Sequence, residues 1–387
     1  MSRVREAVVV GGGIAGCTVA FELARQDLRV TLFEGAGIAS AASGLNAGVL
    51  LNQVEAQVVR IMRTSLEVYR ELRSEHGFWL REYPQLLLAA DEGQMELARA
   101  RARGIQAVGV ASQELGAADL RREFPQLADS VRGGFLVGEA WLLDPAGATR
   151  AFAEAARAAG AELRLGERVS SLRRQAGRVE GVVTDSGRMA ADAVVLATGP
   201  WLPQLLPGSP VGAGRGWLMR TARLPFELPW IVEEMSWPDQ DELGRVARHP
   251  TLGELSESSH DRPAVEAFVI VPQAAGEALI GTSLAPSLRD AVEGTGMPQR
   301  LAGRALRLAP GLREVAVTSA WSAMRPMTPD GMPIVGAGED EGLFLHGGHG
   351  SIGMMAAPAT ARWLAQEMLD GEAPLELAPL RPGRFVG

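Results

Sequence analysis

The beginning of the chain combines short apolar runs with a glycine-rich turn and a helical pattern. Residues 7–10 are all apolar, a helical repeat of apolar positions then extends to Arg25, and a second apolar run covers residues 29–33. Short apolar runs bounded by glycine or charge are typical of buried strands, whereas a 3.6-residue repeat is typical of a helix. The pattern therefore predicts a strand–turn–helix–strand unit.

Further elements are predicted from the same periodicities along the rest of the chain. The predicted helices cover residues 57–76, 92–103, 151–159 and 358–369. The predicted strands cover residues 85–90, 162–165, 193–197, 267–271, 278–282 and 342–346, with a hairpin around 176–178. Helices and strands alternate up to residue 203, and short β runs among prolines and tryptophans follow. We therefore predict an α/β fold that carries a mostly antiparallel sheet in a second domain.

Length and charge limit the class of protein. At 387 residues the chain exceeds the size at which one hydrophobic core usually keeps growing, so we expect two interleaved domains. The formal charge of −8, without a separate block of basic residues, argues against a nucleic-acid partner and favours a small-molecule substrate. The polar segment 238–263 is a candidate lid or partner-binding insertion.

Cysteine and lysine usage limits the chemistry. Cys17 is the only cysteine, which excludes an intramolecular disulfide and a cysteine-rich metal site and fits a cytoplasmic location. We expect no metal. Every basic residue is Arg, so no lysine chemistry is available. No apolar run in the sequence reaches the length of a membrane span.

The first predicted strand leads into a glycine pattern typical of dinucleotide binding. Gly11 permits the sharp bend, Gly13 lets the backbone approach a pyrophosphate, and Gly16 allows the helix to pack closely on the strand. Glu34, at the end of the second strand, is placed to accept hydrogen bonds from ribose hydroxyls and disfavours NADP. This motif alone does not separate FAD from NAD.

Four further motifs accompany this turn, at residues 43–48 (SGLNAG), 194–201 (VVLATGPW), 324–331 (MRPMTPDG) and 347–353 (GGHGSIG). With them the chain resembles the FAD-dependent D-amino acid oxidase family, the group that contains glycine oxidase, sarcosine oxidase and D-hydroxyproline dehydrogenase. The resemblance implies a discontinuous Rossmann-type FAD-binding domain at 1–80, 142–207 and 319–387, and an α+β substrate domain at 81–141 and 208–318. It also implies non-covalent FAD, because Ala323 occupies the position where monomeric sarcosine oxidase attaches flavin to a cysteine.

The resemblance assigns cofactor contacts residue by residue. Residues 46–48 are expected along the isoalloxazine ring, Val169 at the adenine, and residues 348–353 in a turn whose N–H groups stabilise negative charge on the reduced flavin. The expected FAD contacts are Gly11, Gly13, Ile14, Ala15, Gly16, Glu34, Gly35, Ser43, Asn46, Ala47, Gly48, Val169, Thr198, Gly199, Trp201, Gly348, Gly350, Ser351, Ile352 and Gly353.

Arg325 is the expected substrate residue. The matching arginine of glycine oxidase pairs with the substrate carboxylate, and a planar guanidinium suits such bidentate pairing. His349 is the titratable candidate near the ring, although a histidine between glycines can also serve only as a backbone partner. Trp217 either lines the substrate cavity or packs in the core. The only tyrosines, Tyr69 and Tyr83, lie outside the predicted substrate strands, so the second substrate contact stays open.

These residues predict FAD-dependent oxidation of the C–N bond of a small amino acid or secondary amine, such as glycine, sarcosine, proline, hydroxyproline or a D-amino acid. Hydride transfer to flavin N5 gives an imine that hydrolyses. The sarcosine oxidases that the chain resembles use a lysine near flavin N5 to help oxygen accept electrons, and this chain contains no lysine. The resemblance therefore favours a dehydrogenase that passes electrons to a quinone, a carrier or a partner subunit over an oxidase that uses oxygen. The alternatives are an FAD-dependent 2-hydroxy acid or glycerol phosphate dehydrogenase and a non-catalytic electron-relay subunit. A homo- or hetero-oligomer is expected.

Overall fold

The computed structural model describes residues 4–236, 265–286 and 296–385, in which the chain forms three β-sheets with helices packed around them. The segment 238–263, predicted as a lid or partner-binding insertion, lies outside the described residues. The strands are β1 Glu6–Val10, β2 Arg29–Glu34, β3 Val49–Leu50, β4 Leu80–Ala89, β5 Ser112–Gly116, β6 Gly133–Leu143, β7 Glu162–Leu165, β8 Val169–Gln175, β9 Arg178–Thr184, β10 Gly187–Ala190, β11 Ala193–Leu196, β12 Gly212–Thr221, β13 Ile231–Glu234, β14 Val265–Pro272, β15 Ala278–Pro286, β16 Val317–Met327, β17 Ile334–Ala337 and β18 Leu343–Gly347. The helices are α1 Ile14–Ala24, α2 Ala42–Leu45, α3 Ala56–His76, α4 Glu92–Ala107, α5 Ala117–Glu123, α6 Pro145–Ala158, α7 Leu202–Leu205, α8 Met297–Leu308 and α9 Gly353–Asp370.

The first sheet has six strands in the order β17-β18-β11-β1-β2-β7, and all neighbours are parallel except β17 and β18. Its central strand β1 is apolar on both faces because both faces are covered. Ala7 and Val9 pack towards α1, α3, α6 and α9, while Val8 and Val10 pack towards the small sheet β10-β9-β8 on the other side. This is the parallel α/β unit that the sequence predicts.

The second large sheet has the strand order β16-β12-β15-β14-β13-β4-β6-β3, and β5 pairs with β6. Its neighbours are antiparallel except for β13 and β4, in agreement with the predicted antiparallel character. One face carries an apolar cluster closed by α8, through Met297, Leu301, Ala305 and Leu308. The division of the chain into two discontinuous domains stays a prediction.

Helix α9 begins five residues earlier than the sequence pattern predicts, and Pro358 lies inside it. A proline lacks the N–H that would bind the carbonyl four residues back, which is why the pattern favours a helix start at this position. In the structure the Tyr69 hydroxyl donates to the Met354 carbonyl oxygen at 2.8 Å, and the Ala359 N–H donates to Ser65 Oγ at 3.1 Å. Helix α3 thus supplies the partners that let α9 continue through Pro358.

None of the described helices combines the length and the apolar character that a membrane-spanning segment needs.

Candidate functional site

A cavity of about 1120 Å³ lies between the carboxyl ends of the parallel strands and the face of the antiparallel sheet opposite α8. The turn after β1, the end of β2, the Thr198–Gly199 turn and the 349–353 turn line one side of it. Strands β12 to β16 supply the other side through residues such as Gly216, Val269, Thr282 and Arg325. Ligands of parallel α/β sheets bind at the carboxyl ends of the strands, so this position fits a cofactor site that also admits substrate.

The turn after β1 has the tight geometry that the glycine pattern predicts. Gly11 has φ 116°, and a Cβ there would lie 2.5 Å from the Ala197 carbonyl oxygen. A Cβ at Gly16 would collide with the Gly11 carbonyl, so the helix can approach the strand only with glycine at this position. The N-terminus of α1 therefore faces the cavity, where its N–H groups and dipole favour a pyrophosphate.

Glu34 ends β2 at the cavity wall. Its Oε2 accepts a hydrogen bond from the Gly12 N–H at 2.6 Å, and its Oε1 accepts one from the Ala36 N–H at 2.7 Å. These bonds fix the carboxylate while leaving lone pairs for ribose hydroxyls. The negative charge also disfavours a phosphate at this point, as expected for a nucleotide without a 2′-phosphate.

The Thr198 hydroxyl supports a dinucleotide on independent grounds. Its Oγ1 is buried at the cavity and has no hydrogen-bond partner in the described part of the chain. A buried hydroxyl without a partner costs free energy, so a ligand group that bonds to it would relieve this cost. Together with the glycine turn and Glu34, Thr198 shows that the residues present fit the predicted FAD.

Most predicted cofactor residues line this one cavity. They are Gly11, Gly13, Ile14, Ala15, Glu34, Gly35, Ser43, Asn46, Ala47, Val169, Thr198, Gly199, Trp201, Gly350, Ser351, Ile352 and Gly353.

Three further predicted contacts, Gly16, Gly48 and Gly348, lie outside the cavity lining, and their contact with FAD stays a prediction. A Cβ at each would meet other protein atoms: the Gly11 carbonyl, the Leu143 carbonyl and the Thr328 side chain, respectively. These glycines serve close packing behind the wall.

Arg325 extends from β16 into the cavity lining. Its Nη1 donates to the Ser283 carbonyl oxygen at 3.0 Å, and its Nη2 donates to Thr282 Oγ1 at 2.9 Å. No carboxylate in the described residues lies within ion-pair distance of it. Burial lowers the pKa of Arg325 to about 10, so the guanidinium is still charged at neutral pH. A part-buried guanidinium with no acidic partner among the described residues can pair with the carboxylate of a ligand.

Gly216 of β12 lies directly under this guanidinium. A Cβ at position 216 would collide with Nη1 and would lie 2.7 Å from Cζ. Position 216 was missed as a site residue by the sequence analysis, which singled out its neighbour Trp217.

Trp217, a candidate for the lining of the substrate cavity, lies on the other face of β12. Successive residues of a strand point to opposite faces. Gly216 and Leu218 line the cavity, whereas the Trp217 ring packs with the apolar cluster on the other face. The backbone N–H of Trp217 donates to Ser283 Oγ at 3.1 Å. The alternative of core packing is the one that the structure agrees with.

His349 and His346 form a buried pair beside the cavity. Their ring centroids are 4.7 Å apart, and both rings contact Thr360 Oγ1, from His346 Nε2 at 2.8 Å and from His349 Nε2 at 3.4 Å. His346 Nδ1 lies 2.9 Å from the Ala15 carbonyl oxygen. Burial lowers the pKa of His346 to about 4, and burial together with His346 lowers the pKa of His349 well below its ordinary value. Both rings are neutral at pH 7.

The Thr360 hydroxyl ties both rings to helix α9. Thr360 Oγ1 donates to the Ala356 carbonyl oxygen at 2.8 Å and contacts Nε2 of both histidines. A carbonyl only accepts, so His346 carries a proton on Nδ1 towards Ala15. The neutral His349 ring is thus held in a fixed position beside the cavity.

The described residues hold no group of three or more His, Cys, Asp or Glu side chains arranged for a metal ion. Cys17 is buried in α1, and burial raises the pKa of its thiol far above the ordinary range. A thiolate is the reactive form of cysteine, so Cys17 is a packing residue.

Comparison with known proteins identifies a family along nearly the whole chain. The family model described as FAD dependent oxidoreductase (DAO) matches residues 6–367.

Two curated relatives match over most of their length. A glycine oxidase of Geobacillus kaustophilus strain HTA426 is 28% identical over 410 residues, which cover 100% of this chain and 99% of the relative. A D-amino acid dehydrogenase of Cereibacter sphaeroides strain ATCC 17029 is 28% identical over 447 residues, covering 98% of this chain and 95% of the relative. The crystal structure of glycine oxidase from Geobacillus kaustophilus superposes with a TM-score of 0.83 at 25% identity, covering 100% of both chains.

A third relative is longer. The bifunctional protein ThiO/ThiG of Synechocystis sp. strain PCC 6803 is 28% identical over 399 residues. The match covers 100% of this chain but only 55% of the relative, so the chain spans about half the length of that protein.

Proposed function

The chain belongs to the FAD dependent oxidoreductase family, and we propose that it oxidises the C–N bond of a small amino acid or secondary amine. The observation that carries this proposal is the charged guanidinium of Arg325, which is partly buried at the cavity and has no acidic partner among the described residues. Such a cation requires an anion of the ligand, and the carboxylate of an amino acid supplies it. The relatives named glycine oxidase and D-amino acid dehydrogenase support the same substrate class.

The residues that would hold FAD lie along one path through the cavity. The N-terminus of α1 at Gly13 and Ile14 would bind the pyrophosphate, Glu34 the ribose hydroxyls, and the backbone at Val169 the adenine. Thr198 would donate its unpartnered hydroxyl to the cofactor. When bound, FAD supplies the acceptor for the hydride that leaves the substrate.

Arg325 would orient the substrate. A guanidinium carries more N–H donors than the bonds to Ser283 and Thr282 use, and the remaining donors would pair with the substrate carboxylate. Because two protein bonds fix the plane of the guanidinium, the bound carboxylate would also be fixed in orientation. This places the Cα–H of the substrate in one direction, and such positioning supplies much of the rate enhancement of a bound reaction.

No strong base is needed if the amine binds in its neutral form. The neutral His349 ring would hydrogen-bond to the substrate amine and hold the nitrogen lone pair in place. The Cα–H leaves as hydride while the lone pair forms the C=N bond, and the resulting iminium loses a proton and is hydrolysed by water. The role of His349 is therefore orientation.

The electron acceptor is proposed from the composition. The sequence contains no lysine, so no ammonium group is available beside the flavin to help oxygen accept electrons. We propose a dehydrogenase whose electrons pass to a quinone, a carrier or a partner subunit.

Anaerobic mixing of the purified FAD-loaded chain with candidate substrates tests this function. We expect the visible flavin band to bleach with at least one of glycine, sarcosine, proline or the D-amino acids, and to persist with 2-hydroxy acids and glycerol phosphate. Bleaching with a hydroxy acid alone would replace the C–N reaction with oxidation of a C–O bond. No bleaching with any donor would favour an electron-relay subunit.

A further inference from the structure

Beyond Arg325 the sheet that lines the cavity continues as an apolar surface. Leu218, Val269, Val271 and Leu279 line the cavity and carry no polar side-chain group. Strands β12, β15 and β14 are neighbours in the sheet. Their register places Leu218 opposite Gly281 and Gly281 opposite Val269, so the three residues form one row across the sheet. A substrate bound at Arg325 therefore has apolar wall beside it in the direction of β13.

The row ends at a buried ion pair. Val269 lies opposite Glu233 of β13, which is 5% exposed. Glu233 Oε1 accepts from Arg101 Nη1 at 3.0 Å, and its Oε2 accepts from Gln85 Nε2 at 2.6 Å. Both Glu233 and Arg101 line the cavity.

The separation between Arg325 and this pair follows from the sheet. The Arg325 guanidinium is bound to Thr282 of β15, and Glu233 belongs to β13, with β14 between them. Neighbouring strands are about 4.8 Å apart, so the two positions are roughly 10 Å apart across the sheet. An amino acid with a side chain of three or four carbons is of this length.

In this ion pair, Arg101 is the residue with N–H groups available to a ligand. Both oxygens of Glu233 already accept bonds, from Arg101 and from Gln85. Arg101 uses Nη1 for Glu233, and its Nη2 makes one long contact of 3.5 Å to the Asn52 carbonyl oxygen. The other N–H groups of its fork have no acceptor among the described residues. Its side chain is 23% exposed.

We propose that Arg101 is a distal substrate-binding residue and that the substrate carries a second acceptor oxygen, as a carboxylate or an amide, beyond a short apolar stretch. This rests on the proposed oxidation of an amine, and it adds the class of substrate. Glu233 and Gln85 position the Arg101 guanidinium. Because Glu233 offsets the charge of Arg101, the acceptor oxygen that binds there need not carry a charge.

Reductive kinetics with three matched amino acids test the proposal. Glutamate, glutamine and norvaline share the α-carboxylate and the chain length, and differ in whether the end group carries a carboxylate, an amide or no oxygen. Both enantiomers of each are used. In the wild-type chain we expect kcat/KM for glutamate or glutamine to exceed that for norvaline at least tenfold, because a charge-assisted hydrogen bond contributes about this much. Preference for glutamate alone assigns the acceptor as a carboxylate, and preference for both assigns an acceptor oxygen in general.

Variants of Arg101 and Arg99 distinguish a specific contribution of Arg101 to substrate preference from a general loss of activity. In Arg101→Met we expect glutamate or glutamine to have about the same kcat/KM as norvaline, while kcat/KM for norvaline itself changes little. Because this change leaves Glu233 buried without its cation, the double variant Arg101→Met/Glu233→Gln is measured beside it; Gln at 233 still accepts from Gln85. Arg99→Met is the matched control, since Arg99 lies on the same helix and pairs with Glu114 at the surface.

Each outcome has one meaning. An unchanged preference in both Arg101 variants, or a wild-type preference for norvaline, overturns the distal site while flavin reduction itself still supports amine oxidation. Failure of these amino acids, and of glycine, sarcosine and proline measured beside them, to reduce the flavin overturns the proposed function instead. In that case, the perturbation of the flavin spectrum by glutarate and by butyrate still measures whether a second carboxylate is bound through Arg101.

Discussion

Gly216 is the residue on which the position of the Arg325 guanidinium depends most directly, because the planar group occupies the space of a missing Cβ. Gly216→Ala should displace the guanidinium and raise KM for carboxylated substrates at least tenfold, while FAD stays bound. Gly303→Ala in α8 is the matched control, since a Cβ there meets nothing within 4 Å. Unchanged steady-state kinetics in Gly216→Ala would show that the guanidinium does not depend on this contact.

The buried histidines predict how stability depends on pH. The pKa of His346 is lowered to about 4 by burial, whereas an unfolded histidine titrates near 6.5. The stabilising preference for the neutral ring is therefore fully present above about pH 6.5 and is lost as the pH falls towards 4, because only the unfolded chain then takes up the proton. His346 therefore contributes about 3 kcal/mol to the free energy of unfolding above about pH 6.5, and this contribution is lost as the pH falls to about 4.

Urea denaturation at pH 7 and pH 5 measures this effect. The free energy of unfolding of the wild type should fall more between the two values than that of His346→Gln. His76→Gln, at the exposed end of α3, should follow the wild type. An equal fall in the free energy of unfolding from pH 7 to pH 5 in the wild type and in His346→Gln would mean that His346 titrates near its ordinary pKa in the folded chain.

Single residues also mark the limit of sequence reasoning. The glycine turn and Glu34 could be predicted because their geometry is set by neighbours within one βαβ unit. The face of β12 that lines the cavity could not be predicted. Gly216 and Trp217 lie on opposite faces, and only the position of the cavity shows which of them belongs to the site. The Arg101–Glu233 pair joins residues 132 positions apart, and no local pattern signals it.

At the scale of elements, α9 continues through Pro358 because α3 replaces the missing partners. Tyr69→Phe removes the donor to the Met354 carbonyl, and should destabilise the protein by about 1–3 kcal/mol since that oxygen is then buried without a bond. Pro358→Ala restores a backbone N–H to the same carbonyl, so the cost of Tyr69→Phe should shrink in the Pro358→Ala background. Thermal denaturation of the four chains gives this cycle.

The other tyrosine supplies the control. Tyr83 lies half-buried on β4 with Arg81 over its ring, and Tyr83→Phe should change stability little. Additive losses for Tyr69→Phe and Pro358→Ala would contradict the proposed exchange of donors. The same example explains why the sequence misplaces the start of α9, since its partners on α3 lie almost three hundred residues earlier in the chain.

At the scale of the whole molecule, the cavity is bounded by both large sheets, so a ligand that fills it stabilises the entire fold. FAD added to the apoprotein at about a hundred times its Kd should raise the free energy of unfolding by about 2.7 kcal/mol and raise Tm with it. NAD should give no comparable increase. Thr198→Val should leave the stability of the apoprotein almost unchanged, because its hydroxyl has no partner among the described residues, but should reduce the increase caused by FAD.

The architecture itself could be predicted because the strands of both sheets are apolar runs of the right period; β11 and residues 7–10 of β1 are entirely apolar. The relative placement of the sheets could not, because it depends on contacts between segments such as α2 and β16 that lie far apart in sequence. The chemistry of the site arises from that placement, with Arg325 from one sheet and the cofactor turn from the other.

The most direct test of amine oxidation guided by Arg325 is the anaerobic rate of flavin reduction with a matched pair of donors, one carrying the carboxylate and one lacking it. Proline and pyrrolidine, or whichever amino acid bleaches the flavin and its decarboxylated amine, form such a pair. We predict that the wild type prefers the carboxylated donor by about a hundredfold, and that Arg325→Met removes this preference without loss of FAD. Arg220→Met, at the half-exposed pair with Glu277, should keep the preference. Equal preference in wild type and Arg325→Met would contradict the central claim.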